Sequence, residues 1–385
     1  MNSVFASLPD TIFDVMSGLA RETGAINLGQ GFPEWNGPED IRQAAAKAVI
    51  DGPNQYPPMR GTPALREAVA EHYGRLHGIP LDWQTEVTVT SGATEALAAA
   101  LLAVLNPGDE VVLFEPMYDS YLPMLRRAGA TARFVRLDPP DWRVDPRALA
   151  AAFTEKTKAV VLNTPLNPSA SLIPAEDLAL IAKHCVKHDC IAISDEVWEH
   201  CVFDGAAHIS MLMAPGMRDR TIKIGSAGKM FSMTGWKVGF ACAAPKLTEA
   251  FVRAHQFLTF TTPPNLQTAV AYGLAKSSAF FEDMRVALAR SRDRLATALK
   301  QEGFHVLPAA ATYFHAIDLH KSGIAMRDAG FALRAVKEAG VAAIPFSAFY
   351  TTPPESSLIR LCFAKHDATL DAGAERLAKA RRLMA

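Results

Sequence analysis

Cysteine is scarce in this sequence. Its five residues among 385, Cys185, Cys190, Cys201, Cys242 and Cys362, are scattered and odd in number. That excludes a disulfide-dense scaffold and fits a reducing compartment. Net charge is lacking too: 39 basic against 40 acidic residues leave −1. No overall field draws the chain to nucleic acid or an anionic membrane, so any anionic ligand needs a local site. No apolar run is long. The longest, Ala96 to Leu105, falls short of the ~20 residues a membrane helix needs and reads as a buried helix. Neither a basic segment nor an apolar h-region opens the sequence, so no signal peptide is expected and the cytoplasm is the default compartment. Repeats and low-complexity tracts are absent. His184, Cys185, His188 and Cys190 lie close together, but their spacing matches no zinc pattern and no second ligand pair follows. They read as a helix surface, and no metal is expected.

What is present is ordinary for a globular chain: 49% hydrophobic and 21% charged residues, at a length that suits two domains. From Glu86 to Ala243 short β-branched runs alternate with helical stretches. The predicted strands are Val87–Thr90, Glu110–Phe114, Ala132–Leu137, Ala159–Leu162, Ile191–Ser194, Thr221–Ile224 and Val238–Cys242, with helices over Thr94–Leu105 and Ala175–His188. This alternation predicts an α/β fold with a mostly parallel sheet covered on both faces, and the last two strands leave room for an antiparallel member. After Phe251 the character changes. Two helical stretches, Asn265–Lys276 and Phe280–Glu302, lead to strands near Phe304–Leu307, Tyr313–Asp318, Ala342–Ile344 and Leu358–Phe363. That pattern predicts a smaller α+β domain. The opening residues to about Glu39 are too few to fold alone and are expected to pack on that domain or on a second subunit.

Ligands of a parallel sheet sit at the C-terminal strand ends, and the informative residues fall there. Ser91-Gly92-Ala93-Thr94 runs from a strand into a helix, whose free N–H groups can take an anion; an ordinary turn is the alternative. It is neither a P-loop nor a GxGxxG motif. Lys229 follows a strand in the small-residue loop Ser226-Ala227-Gly228-Lys229, where desolvation of its amine favours attack on an aldehyde. Arg360 stands inside the apolar strand Leu358–Phe363. A guanidinium there demands a buried anion.

Ser226-Ala227-Gly228-Lys229…Thr234-Gly235-Trp236-Lys237-Val238-Gly239 closely resembles the Schiff-base lysine segment of class I/II aminotransferases. These are pyridoxal-phosphate-dependent enzymes of fold type I, and the segment is most like that of the kynurenine/glutamine and methionine branch. The resemblance runs through nearly the whole chain. It implies a seven-stranded, mostly parallel large domain that binds the cofactor over 46–275, a small domain over 276–385, and an arm with part of the small domain over 1–45.

It further implies that Lys229 carries pyridoxal 5′-phosphate and shuttles the substrate proton, and that Asp195, in Ser194-Asp195-Glu196-Val197, keeps the pyridine nitrogen protonated. Asn167, in Asn163-Thr164-Pro165-Leu166-Asn167-Pro168, donates to the phenolate oxygen and lies near the substrate carboxylate, while Tyr118 stacks on the ring. Gly92, Ala93, Thr94, Ser226 and Lys237 hold the phosphate, with Tyr56 reaching that of a neighbouring subunit. Arg360 and the Gly31 backbone take the substrate carboxylate. Trp35 and Phe260 stand near the substrate, Phe260 and Thr261 across a homodimer interface.

Two departures stand out: Ser169-Ala170 replaces Thr-Gly, and Trp198 replaces the tyrosine that donates to the phenolate oxygen. Losing that bond to a charged oxygen costs roughly 1.5–3 kcal/mol, about one to two pKa units on the lysine–cofactor linkage.

The activity implied is transfer of an amino group from an L-amino acid to a 2-oxo acid. Apolar, aromatic or thioether donors are favoured by Phe32, Trp35, Tyr56, Phe260 and Phe346; Arg60 offers an alternative place for a distal carboxylate. Carbon–sulfur β-elimination at the same site is the second reading. A cofactor-binding regulator is the third, and neither the net charge nor any helix-turn-helix segment favours it.

Overall fold

The β-branched runs between Val87 and Ala243 pair into one sheet in the structure, a computed structural model that describes all 385 residues. In chain order the strands are β1 (Ile26–Asn27), β2 (Val87–Thr90), β3 (Glu110–Glu115), β4 (Thr131–Arg136), β5 (Thr157–Asn163), β6 (Ile191–Asp195), β7 (Thr221–Ser226) and β8 (Gly239–Ala243). The large sheet runs β2-β8-β7-β6-β5-β3-β4. Its interior pairs β7–β6, β6–β5, β5–β3 and β3–β4 are parallel, whereas β8 is antiparallel to both of its neighbours. Here is the antiparallel member that the sequence pattern allowed. β2, β7 and β8 are buried at every residue, polar positions such as Thr88, Thr90 and Lys223 included, as expected of strands covered on both faces.

Helix Ala93–Val104 lies on this sheet through Ala96, Leu97, Ala99, Ala100 and Leu101, all buried. Its small side chains allow a close approach to the strands. Helix Pro245–Leu258 packs beside it and runs straight across Phe251, where the sequence reading drew a change of character. Thr248, Phe251, Val252 and His255 form its buried stripe, the i, i+3, i+4, i+7 spacing of an amphipathic helix.

A second sheet follows, built from β9 (His305–Val306), β10 (Phe314–Asp318), β12 (Ile344–Pro345) and β13 (Leu358–Cys362) in the order β12-β13-β10-β9. The remaining strand, β11 (Val341–Ala342), pairs in parallel with β1. Met16 and Ala20 of helix Ile12–Thr23 pack with Ala332, Val336, Ile344 and Phe349. The opening segment therefore rests on the C-terminal elements.

All five cysteines are free and buried. His184 and His188 flank Phe153, with ring centroids 5.0 and 5.2 Å from it. No helix is long and apolar enough to cross a membrane.

Candidate active site

The C-terminal ends of β2, β5, β6 and β7 carry Thr90, Asn163, Asp195 and Ser226. Because β8 runs the other way, its first residue, Gly239, lies opposite both Thr90 and Ser226. A cavity of about 490 Å³ opens at this edge, and Gly31, Gly92, Ala93, Thr94, Tyr118, Asn167, Asp195, Trp198, Ser226, Lys229, Lys237 and Arg360 all line it. Trp35, Tyr56 and Phe260 stand apart from the lining. Tyr56 and Phe260 meet edge to face at 5.4 Å on the surface, where they are 82% and 43% exposed. Trp35 packs 6.3 Å from the ring of His366.

One end of the cavity is shaped for an anion. Gly92 adopts φ 82° and ψ 170° immediately before helix Ala93–Val104, a conformation open essentially only to glycine. The first amides of the helix have no intrahelical partner and sit at its positive end. A Cβ on Gly92 would stand 3.3 Å from Lys237 Nζ, and one on Gly239 only 2.8 Å from the Ala93 nitrogen. Ser226 completes this end, its Oγ accepting the amide of Lys229 at 3.4 Å.

Lys229 occupies the middle. Its Nζ donates to the Tyr313 hydroxyl at 3.3 Å, and that hydroxyl donates to the Gly31 carbonyl at 2.7 Å. The amine also sits 4.6 Å over the Trp198 ring, which itself meets Tyr313 edge-on at 4.4 Å. Burial, followed by the nearby Arg360 charge, pushes the amine pKa down to about 8, against the opposing pull of Asp195.

Asp195 is buried at the end of β6. Burial raises its pKa; the Tyr121 hydroxyl, donating to Oδ2 at 2.6 Å, pulls it back. The Asn163 amide donates to the Asp195 carbonyl at 2.9 Å, while Asn163 Oδ1 accepts the Asn167 N–H at 2.9 Å. Asn163 is thus the brace that sets the Asn167 loop against β6.

Arg360 closes the other end. It is 1% exposed, stacked 3.9 Å over the Phe314 ring. Nη1 donates to Asn167 Oδ1 at 2.7 Å and Nη2 to the Gly29 carbonyl at 2.9 Å. Nε is buried without a partner. Burial lowers the guanidinium pKa to about 10. A guanidinium enclosed in this way, held only by neutral acceptors, is a seat for a carboxylate brought from outside.

Sequence reasoning missed Tyr313 and Tyr121. Tyr313 was legible only as the first residue of a strand. Tyr121 stands three residues after Tyr118, and that spacing was the one available hint. The pocket also holds Thr11, Phe13 and Asp119, which no motif marked.

Residues 23–377 match the family described as aminotransferase class I and II. The chain is 43% identical to the methionine aminotransferase of Escherichia coli K12, across 97% of each sequence. It is 42% identical to a probable N-succinyldiaminopimelate aminotransferase of Mycobacterium tuberculosis, across 95% of each. Among solved structures, Escherichia coli YbdL, whose structure and reactivity identify a methionine aminotransferase function, superposes with a TM-score of 0.95. That match has 41% identity and covers 98% of this chain and 99% of the other.

Proposed function

This chain belongs to the class I and II aminotransferases and works with pyridoxal 5′-phosphate, and from that premise we propose that its amino donor is an apolar, aromatic or thioether L-amino acid. Its substrates are an amino acid and a 2-oxo acid. The two relatives above carry names with very different donors at nearly equal identity, so the reading of the donor rests on the cavity lining. Phe13, Phe32, Leu97, Val197, Trp198 and Phe314 supply its apolar wall.

The residues fit the cofactor. The Gly92–Gly239 cradle, closed to any Cβ, together with Ser226 and Lys237 suits a phosphate. Lys229 suits an aldehyde, Asp195 a protonated ring nitrogen, and Tyr118 a ring face. When bound, the cofactor supplies a carbonyl carbon for the amino group and a ring that accepts the electron pair left at the substrate Cα.

The chain supplies the rest. With a pKa near 8, Lys229 keeps an appreciable neutral fraction at physiological pH, as both a nucleophile and a base for the Cα proton require. Arg360 and Asn167 orient the substrate by its carboxylate, with the Gly31 backbone beside them. Asp195 holds a proton on the ring nitrogen. The observation that carries the donor reading is the apolar wall of the cavity; the carboxylate grip rests on the enclosed Arg360, held by neutral acceptors in the same cavity as Lys229.

The reading extends to a homodimer. Tyr56, Phe257 and Phe260 leave apolar rings on the surface, of the kind an interface covers, and Tyr56 then serves the partner's phosphate. Trp35 and Phe260 belong with the substrate side of that shared site. The domain division at 45 and 275 and a cytoplasmic location are part of the same proposal; five free buried thiols support the latter.

The test is the visible spectrum of the cofactor-loaded protein beside Lys229→Ala. Methionine or phenylalanine should bleach a lysine-dependent band, and a 2-oxo acid should restore it. A band that bleaches faster with aspartate or glutamate than with either donor overturns the apolar assignment. Absence of a lysine-dependent band overturns the role of Lys229.

A further inference from the structure

Three histidines meet away from the active site. His72 and His77 come from helix Pro63–His77 and His200 from the turn after β6. One ring nitrogen from each lies within 4.8 Å of the other two. His72 Nε2 faces His200 Nε2 at 3.0 Å. His77 Nε2 is buried and has no hydrogen-bond partner.

The surroundings favour a cation over an empty cluster. His72 Nδ1 lies 3.4 Å from the Leu274 carbonyl. A proton on Nδ1 serves that carbonyl and leaves Nε2 with a free lone pair, the arrangement that orients metal-bound imidazoles. Next to them Glu199 and Glu196 share a single ammonium, Lys223, at 2.6 and 3.2 Å. Glu199 also accepts the Tyr73 hydroxyl at 2.6 Å, and His208 contacts Glu196 at 2.9 Å. Two carboxylates thus stand beside the three rings, on the side where a bound cation would be favoured.

We propose that His72, His77 and His200 together bind one d-block divalent cation of the Zn²⁺ type. Three imidazoles are a donor set for zinc, cobalt, nickel or copper, not for magnesium or calcium. Tetrahedral bonds of ~2.0 Å set neighbouring nitrogens on the order of 3.3 Å apart, so the 3.0 Å His72–His200 spacing needs only a slight opening. Water takes the fourth position. No zinc pattern is visible in the sequence because two ligands close one helix and the third lies beyond β6. The bound ion pins that helix to the turn following Asp195. It touches none of the residues that line the cavity, so its role is structural and stands apart from the amino-transfer reading.

The experiment uses tag-free, cofactor-loaded protein stripped of metal, titrated with Zn²⁺ against a chromophoric chelator. One tight site per chain is expected in the wild type and in His184→Gln, the control for the His184–His188 pair. His77→Gln and His200→Gln should weaken it by more than the ~10–100-fold that loss of a mere supporting hydrogen bond costs a metal site. Retained cofactor absorbance reports that each variant is folded. Co²⁺ added to the wild type gives a readout that needs no variant, namely the intense visible bands of a tetrahedral nitrogen site. Any of three results overturns the proposal: no stoichiometric Zn²⁺ binding, binding unaltered by His77→Gln, or a pale octahedral cobalt spectrum.

Discussion

Lys229 Nζ donates to the hydroxyl of Tyr313 at 3.3 Å, across 84 residues of sequence. Because Tyr313 spends its own proton on Gly31 at 2.7 Å, its oxygen is fixed as an acceptor toward the amine. An acceptor favours the ammonium form. Tyr313→Phe should therefore lower the Lys229 pKa further below about 8, by about one unit, or ~1.4 kcal/mol. The pH profile of cofactor capture by the cofactor-free protein measures this. Capture speeds up as pH rises through the amine pKa, and its midpoint should move to lower pH in the variant. An unmoved midpoint would leave Tyr313 a packing residue only.

Trp198 faces the same amine with a π-surface at 4.6 Å, at the position where the family resemblance implies a tyrosine. Trp198→Tyr restores a donor to the cofactor's phenolate oxygen. The pKa of the lysine–cofactor linkage, followed by absorbance against pH, should fall by about one to two units. An identical titration in wild type and variant refutes the assignment.

For Arg360, charge alone is insufficient on this account. Arg360→Lys keeps a cation but cannot serve Asn167, Gly29 and a substrate carboxylate at once. The loss should be about 2–5 kcal/mol, seen as a fall of roughly thirtyfold to several thousandfold in kcat/KM. Single-turnover rates with a saturating donor should recover in part, since binding is the main casualty. A variant within about threefold of wild type counts against a carboxylate at this position.

Lys223 joins Glu196 and Glu199 in the core. Burial is the largest single influence and would raise both acids, but Lys223 together with the neighbouring histidines outweighs it, holding Glu196 at about 2 and Glu199 lower still. Acids depressed in the folded state add stability above their unfolded pKa of ~4.3, and that stability is lost as pH falls toward 2. Lys223→Met strands two buried carboxylates and should cost about 3–5 kcal/mol at pH 7. The deficit should narrow below pH 5, as protonation neutralises them. Denaturant unfolding across that range checks both the size and the sign.

How much of this was legible beforehand depends on the range of each interaction. The strands of the large sheet were readable because full burial leaves runs such as Val87–Thr90 and Ile191–Ser194 without charge. Lys229, Asp195, Asn167 and Arg360 were readable because each sits in a local string with its own chemistry. Tyr121 and Tyr313 were not. Each acts through one hydroxyl on a partner 74 or 84 residues away, and nothing in the local pattern separates a tyrosine that donates to an active-site group from one that fills the core. The histidine cluster was hidden for the same reason. Helix Pro245–Leu258 is a different case, since its amphipathic spacing was present in the sequence but was divided at Phe251. Asn163 shows the reverse error of emphasis: its motif marked it, and the structure gives it a bracing role.

Strand β8 has an implication for the order in which a newly made chain becomes competent. The anion cradle joins Gly92, Ser226 and Gly239, and the last arrives only when β8 slots between β2 and β7. A chain synthesised as far as Lys229 already holds Gly92, Ser226 and the lysine, but not Lys237 or Gly239, which close the cradle from the far side. The phosphate end therefore gains its last wall from the one strand that runs against both of its neighbours, so closure of the site and closure of the sheet are one event.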